Sequence, residues 1–331
     1  MRTITEILQL PETHKLLTTI YIEVTDACNL KCVHCYVTNR MKEPFRFHTI
    51  DVHSIENILN QAKELNVFRI ILTGGEPFMH PEILKILEMI HEMNFMCYVM
   101  SNATLINDKN IYAVKKYVNR VLISNYGAND ESYEGVTRTI GSRRSYLHAI
   151  DLLKEHNVPY EERFVLLKEN QNDADVFLER KLKIETCICG DHNENYAIAH
   201  RADESCLGKI FQSYHFGGEL IIKRGLDDLV CNAGKHSLTI KSNLEVVPCN
   251  NFGLVVGTLS NGSLKEIWFG NKLKEINEEL KFRYFIKCSR CEFKRYSLYL
   301  LPCNNYQENQ DMHIPSTETC RHCKLISKFD I

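Results

Sequence analysis

The pattern of hydrophobic and polar positions divides this chain in two. From residue 18 to about 200, short apolar runs alternate with stretches of helical periodicity. The runs predict strands at 18–25, 68–73, 96–101, 119–124 and 161–167. Between them the spacing predicts helices near 51–66, 80–94, 107–118, 142–156 and 173–183. In the second of these, Ile83, Leu84, Ile86, Leu87 and Ile90 recur at helical spacing behind Pro81. Strands alternating with helices build parallel βαβ units, which bind ligands at the carboxyl ends of their strands. The expected fold class is α/β. Past residue 200 the alternation stops. Residues 218–222 and 237–249 read as short strands, the latter with a turn at Ser242-Asn243. A helix capped by Ser263 then carries Leu264, Ile267 and Trp268. The expected organisation is a lead-in at 1–17, an α/β domain at 18–200 and a smaller unit at 201–331.

Composition narrows the function classes. The 331 residues are 44% hydrophobic and 25% charged, as in an ordinary globular protein. A formal net charge of −2 gives no reason to expect a nucleic-acid partner. No apolar run approaches a membrane span, and the start, Met1-Arg2-Thr3-Ile4, lacks a secretory pattern. A cytoplasmic location is expected. Fourteen cysteines are then the anomaly, because in a reducing compartment clustered cysteines mean metal or redox chemistry more often than disulfides. Cys97, inside Phe95-Met96-Cys97-Tyr98-Val99, reads as a buried thiol.

The first cluster, Cys28-x3-Cys32-x2-Cys35, directly follows the strand-like run Ile20-Tyr21-Ile22-Glu23-Val24-Thr25. This spacing puts three soft thiolates on one loop, whereas a closed zinc or iron–sulfur site usually takes four protein ligands. Three ligands leave one coordination position for something other than protein. His34, between Cys32 and Cys35, reads as a loop-exposed spectator. Thr73-Gly74-Gly75-Glu76-Pro77 lies just past the second strand, where two glycines allow close backbone approach and Glu76 offers a carboxylate.

Cys28-x3-Cys32-x2-Cys35-Tyr36 resembles the signature of radical SAM enzymes, and the later segments follow in family order. Residues 73–77 are similar to the family's GGEP segment, Ser101-Asn102-Ala103-Thr104-Leu105 to its SNGTL segment, and Ile123-Ser124-Asn125-Tyr126-Gly127 to its ISLDG segment. Ala103 stands where glycine is usual, and Asn125-Tyr126 removes the usual aspartate. Glu169-Asn170 closes the fifth strand in a family-like way. The resemblance implies a partial (β/α)6 TIM-like barrel and S-adenosylmethionine bound to a 4Fe–4S cluster on Cys28, Cys32 and Cys35. Reduction of that cluster yields a 5′-deoxyadenosyl radical. It also implies cofactor-binding roles for Tyr36, Thr73, Gly74, Gly75, Glu76, Ser101, Asn102, Ser124 and Arg138. Glu76 would take the amino group of the cofactor's methionine part, Ser124 the ribose and Arg138 the carboxylate.

Cys231, Cys249, Cys288-x2-Cys291, Cys303 and Cys320-x2-Cys323 form a second field. It is similar to the SPASM extension, which carries auxiliary 4Fe–4S clusters, with Leu244 where glycine is usual. Taken in chain order, two clusters would draw on Cys231, Cys249 and Cys320, and on Cys288, Cys291, Cys303 and Cys323. Cys206 is a candidate fourth ligand of the first, with Cys187 and Cys189 as rivals; zinc is the alternative metal. Relatives of this kind imply an oxidoreductase acting on a ribosomally made precursor peptide by thioether or carbon–carbon cross-linking, oxidation or decarboxylation. An electron donor such as flavodoxin or ferredoxin would serve it. Peptide epimerisation, with Cys187 or Cys189 returning a hydrogen, is one alternative. A dehydrogenase or cyclase of a small sugar- or nucleoside-like metabolite is another, and a zinc-cluster interaction protein is the non-enzyme reading. Residues before 17 are too few for a winged-helix leader-binding domain, so the barrel mouth, the extension or a partner would capture a peptide.

Overall fold

The structure is a computed structural model that describes residues 16–35, 47–186, 199–215 and 224–328. Tyr36, Cys187, Cys189 and the strand expected at 218–222 lie outside the described residues. Six strands follow in chain order: β1 Thr19–Thr25, β2 Arg69–Gly74, β3 Met96–Ser101, β4 Arg120–Asn125, β5 Tyr160–Val165 and β6 Lys183–Glu185. Each pairs in parallel with the next, in the spatial order β6-β5-β4-β3-β2-β1. Helices α1 Val52–Glu64, α2 Ile83–Glu92, α3 Ile111–Tyr117, α4 Asp130–Thr137, α5 Ser142–Glu155 and α6 Ala174–Glu179 join them.

Burial explains the alternation. In β1, Ile20, Ile22 and Val24 are fully buried against the helices together with Ile55, Ile58 and Leu59 of α1. Five of the strands lie within two residues of the runs that predicted them. The sequence pattern passed over α4, whose Asn129 and Ser132 form a capping box before a short segment weakened by Gly135. It also passed over β6, only three residues long.

The second part of the chain is not detached from this sheet. β7 Ser237–Ile240 pairs in parallel with β1, with Ile22 opposite Ile240. β8 Glu245–Val247 and β9 Gly257–Thr258 extend it antiparallel, giving nine strands and an open barrel. Leu244, in the β7–β8 turn, adopts φ 66, so the family's glycine conformation is kept without the glycine. The remaining helices are α7 Glu204–His215, α8 Leu264–Phe269, α9 Asn271–Glu279, α10 Ile286–Ser289, α11 Pro302–Asn309 and α12 Thr317–Ser327. Ser263 caps α8 reciprocally with Glu266, as its position predicts. Leu325 and Ile326 of α12 pack with Phe211 of α7 and with Phe164 and Phe177 at the β5 edge. That packing carries the last two cysteines back onto the fold.

Candidate active site

The cysteine loop hangs from the carboxyl end of β1 and is fixed from three sides. The amides of Lys31 and Val33 donate to the carbonyls of Thr137 and Val136 at the end of α4, at 3.0 and 2.9 Å. The Asn29 side chain donates to Thr104 at 2.8 Å. The third support is the Gly-Gly turn. A Cβ on Gly74 would meet the Thr25 carbonyl oxygen at 2.3 Å, and one on Gly75 would meet that of Ala27 at 2.3 Å. Gly74 also has φ +130. The glycines therefore admit the backbone leading into the cysteine loop, a closer neighbour than the ligand their pattern suggested.

Donors converge on the sulfurs. The Leu30 amide donates to Cys28 Sγ at 3.5 Å and Asn102 Nδ2 does so at 3.8 Å. The Tyr126 hydroxyl lies in hydrogen-bonding reach of Cys32 and of Ser124. Asn170 anchors Tyr126, donating to its carbonyl at 2.8 Å. Burial pushes the Cys28 thiol up to about 12 and the Cys32 thiol well above its ordinary value, and the neighbouring thiols add to both. Gathered, buried thiols with N–H and O–H groups aimed at them suit thiolate ligation of an electron-poor metal cluster, whose potential such bonds tune.

Glu76 is fully buried. Its carboxylate accepts from Ser101 Oγ at 2.8 Å, the Asn102 amide at 2.8 Å and the Phe78 amide at 3.2 Å. Burial outweighs these donors and raises its pKa to about 7. The folded state thus holds a proton that the unfolded state, at the ordinary carboxylate value, releases. Between about pH 4.5 and 7, stability of the cluster-free protein falls as pH rises. The expected size is of order 3 kcal/mol. Thermal unfolding across that window should show the slope, and Glu76→Gln should remove it.

The structure also places the other expected cofactor-binding residues. Thr73 is buried on β2 beside Glu23 in the parallel register. Ser101 and Asn102 serve Glu76 and the cysteine loop as described. Ala103 is fully buried at φ 64, again a glycine-like conformation at the family's glycine position. Arg138 is exposed at the left-handed end of α4, next to the carbonyls that hold the loop. His34 differs from its expected role as an exposed spectator. It is half-buried with its ring 5.4 Å from that of Tyr126, its Nδ1 has no partner, and burial lowers its pKa to about 4. Asn125, where the family carries aspartate, donates to Tyr146 at 2.9 Å and to Glu162 at 3.0 Å. An aspartate there would face the Glu162 carboxylate, so the amide is the complementary choice. Sequence reasoning missed this network and the Tyr126–Cys32 link, because the partners come from different strands.

The second cysteine field gathers in two groups, and the grouping corrects the one taken from chain order. Burial raises Cys231 to about 11, with Cys303 and Cys249 close enough to raise it further. Cys288, Cys291, Cys320 and Cys323 line a single surface pocket. Burial raises Cys288 to about 11, with Cys320 and Cys291 raising it further, and Cys323 to about 12, with Cys288, Cys320 and Cys291 adding to it. Cys303 and Cys320 have exchanged places relative to the expected sets. The reason is helix placement: Tyr306, one turn after Cys303 on α11, packs edge-on against Phe252, which bridges to Cys249. Cys320 and Cys323 share one face of α12, whose Thr319 donates to the Leu300 carbonyl above Cys288 and Cys291. Cys206 is elsewhere, its sulfur 3.5 Å from the Gln171 carbonyl. Arg224 lies in electrostatic reach of both Cys231 and Cys323, between the groups. Among the described residues no three His, Cys, Asp or Glu converge tightly enough for one metal ion. Soft thiolate donors gathered in groups suit iron–sulfur clusters.

An open parallel barrel with thiols gathered at the carboxyl end of its first strand, and more on an appended hairpin, defines an iron–sulfur enzyme scaffold. The radical SAM superfamily domain matches residues 22–180, and an iron–sulfur cluster-binding SPASM domain matches residues 231–292. The chain is a radical SAM enzyme with a SPASM domain, and its cofactors are S-adenosylmethionine and 4Fe–4S clusters, auxiliary ones included. It is 23% identical over 315 residues to the AdoMet-dependent heme synthase of Methanosarcina barkeri, covering 82% of this chain and 88% of that protein. It is 28% identical over 138 residues to the subtilosin biosynthesis protein AlbA of Bacillus subtilis, 41% of this chain and only 30% of that one. Among solved structures, anSMEcpe with bound AdoMet and a peptide superposes with a TM-score of 0.70 at 17% identity, covering 95% of this chain and 96% of the other. Streptococcus suis SuiB bound to its precursor peptide SuiA gives 0.65 at 19% identity, covering 93% and 76%. No helix among the described residues is long and apolar enough to cross a membrane.

Proposed function

We propose that this enzyme modifies a ribosomally made precursor peptide. The observation that carries the reading is the pair of separate cysteine groups in the extension, joined to a fold shared along nearly its whole length with two peptide-bound relatives. Cys28, Cys32 and Cys35 would hold the catalytic cluster, which when bound would supply, with S-adenosylmethionine, hydrogen-abstracting radical chemistry. Glu76, fixed by Ser101 and Asn102, accepts from the amino group of the cofactor, and its burial strengthens that bond. Ser124 and the Tyr126 hydroxyl face the loop from β4, Thr73 lines the site from β2, and Arg138 meets the carboxylate. A cofactor contact is also assigned to Tyr36, which lies outside the described residues, and the Gly-Gly turn holds the loop backbone in place. Cys231, Cys249 and Cys303 serve one auxiliary cluster, and Cys288, Cys291, Cys320 and Cys323 serve the other. Tyr21 on β1 is within electrostatic reach of Arg69, Cys249 and Arg163. The protein works in the cytoplasm.

The heme synthase match supports a second reading, a macrocyclic or other small metabolite as substrate. Anaerobic turnover with the neighbouring precursor peptide, read by mass spectrometry alongside 5′-deoxyadenosine, separates the two. A peptide mass change that tracks 5′-deoxyadenosine supports the proposal. Turnover of a small metabolite with the peptide unchanged would overturn it.

A further inference from the structure

The pocket formed by Cys288, Cys291, Cys320 and Cys323 opens to solvent at one member: Cys320 is exposed, Cys291 half-buried, and Cys288 and Cys323 buried. Cations ring the opening. Lys294 and Lys324 line the pocket itself. Lys287 is near enough to favour the thiolates of both Cys288 and Cys320, and Arg290 is exposed between Cys288 and Cys291. All four of these side chains belong to exposed residues. The nearby carboxylates are fewer. Glu308 keeps its charge near Cys320 and Glu292 is exposed on this rim, while Glu318 is paired with Arg201, Arg321 and His322. The chain as a whole is slightly acidic, so this basic ring is a local departure from its average.

We propose that this ring is the docking surface of an acidic one-electron carrier protein, which delivers reducing equivalents to the cluster held by these four cysteines. The inference rests on the metal assignment above and goes beyond it in naming an interface and its partner. Each reductive cleavage of S-adenosylmethionine consumes one electron that the chain itself cannot generate. In the step proposed here the reduced carrier loses one electron, the four-iron cluster gains it, and no bond or proton moves. A carrier has to bring its cofactor close to a metal near the surface, and a cluster on these four cysteines would lie beside the exposed Cys320. Electron-transfer encounters are small and governed by charge complementarity, which raises association rates by factors of 10–1,000 at low salt. A ring of three lysines and one arginine around an exposed ligand suits an acidic partner of that kind.

The test is anaerobic stopped-flow reduction of the reconstituted enzyme by reduced flavodoxin, followed by cluster absorbance and electron paramagnetic resonance. It compares wild type, Lys287→Glu/Lys294→Glu/Lys324→Glu and a control of equal charge change, Lys85→Glu/Lys109→Glu/Lys115→Glu. In wild type the rate should fall steeply with added salt. In the rim variant it should be lower by about tenfold or more at low salt and lose that dependence. The control should behave like wild type, and photoreduced deazaflavin, too small to need docking, should reduce all three alike. A rim variant reduced by flavodoxin at the wild-type rate overturns the proposal. So does a control that falls as far, because bulk charge then explains the effect. A rim variant that keeps the flavodoxin rate but loses binding of an acidic precursor peptide reassigns the surface to the substrate and overturns it as well. Absence of any reducible four-iron signal from these cysteines with deazaflavin defeats the metal assignment instead, so the two failures are distinguishable.

Discussion

Replacing Cys28, Cys32 and Cys35 together with alanine should abolish cleavage of S-adenosylmethionine while leaving the extension loaded. Three four-iron clusters require about twelve irons per chain, and the triple variant should retain about eight. Both quantities follow from the grouping of the thiols: Cys32 feels Cys35 and Cys28, Cys231 feels Cys303 and Cys249, and Cys323 feels Cys288, Cys320 and Cys291. Loss of 5′-deoxyadenosine production is expected to be complete, because the variant lacks all three thiols of that loop. Iron and sulfide counting after anaerobic reconstitution checks the stoichiometry. A variant left with no iron would mean that the extension does not carry clusters, and would remove the support for a peptide substrate.

The second large effect concerns a buried ion pair that joins the two halves of the chain. Lys241 Nζ lies 2.9 Å from Glu23 Oε1, with side-chain exposures of 9% and 0%. Lys241 also donates to the Asn250 carbonyl at 3.3 Å, and its neighbour Ser242 donates to Asp26 at 2.6 Å. Lys241→Met should cost about 3–5 kcal/mol at neutral pH, because it removes a cation from beside a fully buried carboxylate. The deficit should shrink as pH falls. A protonated carboxyl needs no counter-charge, so acid should relieve the penalty. Glu23→Gln/Lys241→Met should regain most of the loss. Thermal unfolding of the three variants between pH 4 and 8 measures all of this. A single variant as stable as wild type at pH 7 would show that the carboxylate reaches water by another route.

Local chemistry explains how much of this was legible in the chain. The cysteine loop, Glu76 and the barrel class could be read because each depends on residues close in sequence, such as the run at 18–25 followed by Cys28, Cys32 and Cys35. The conformations at Ala103 and Leu244 show the same locality from the other side. The side chain departs from the family pattern, but the surrounding hydrogen bonds hold the backbone to it. What could not be read depends on contacts between distant segments. The grouping of Cys303 and Cys320 follows from which face of α11 meets Phe252 and which face of α12 covers Leu300. The burial of His34 and the Asn125–Glu162 bond arise where separate strands meet. The continuation of the first sheet into β7 joins residues whose numbers differ by 218, as Ile22 and Ile240 do. No periodicity along the chain encodes that pairing.

That last feature governs how the protein is made. β1 carries the cysteine loop, yet one of its edges has no partner until residues 237–240 have been synthesised. At ordinary translation speeds this interval lasts roughly 10–40 s. Throughout it, an apolar strand with open hydrogen-bonding groups invites pairing with other chains. Long-range parallel pairing is also intrinsically slow to form. A nascent chain of this protein should therefore depend on chaperones until β7 arrives, and a fragment ending before residue 237 should aggregate even though it contains the whole radical-generating loop.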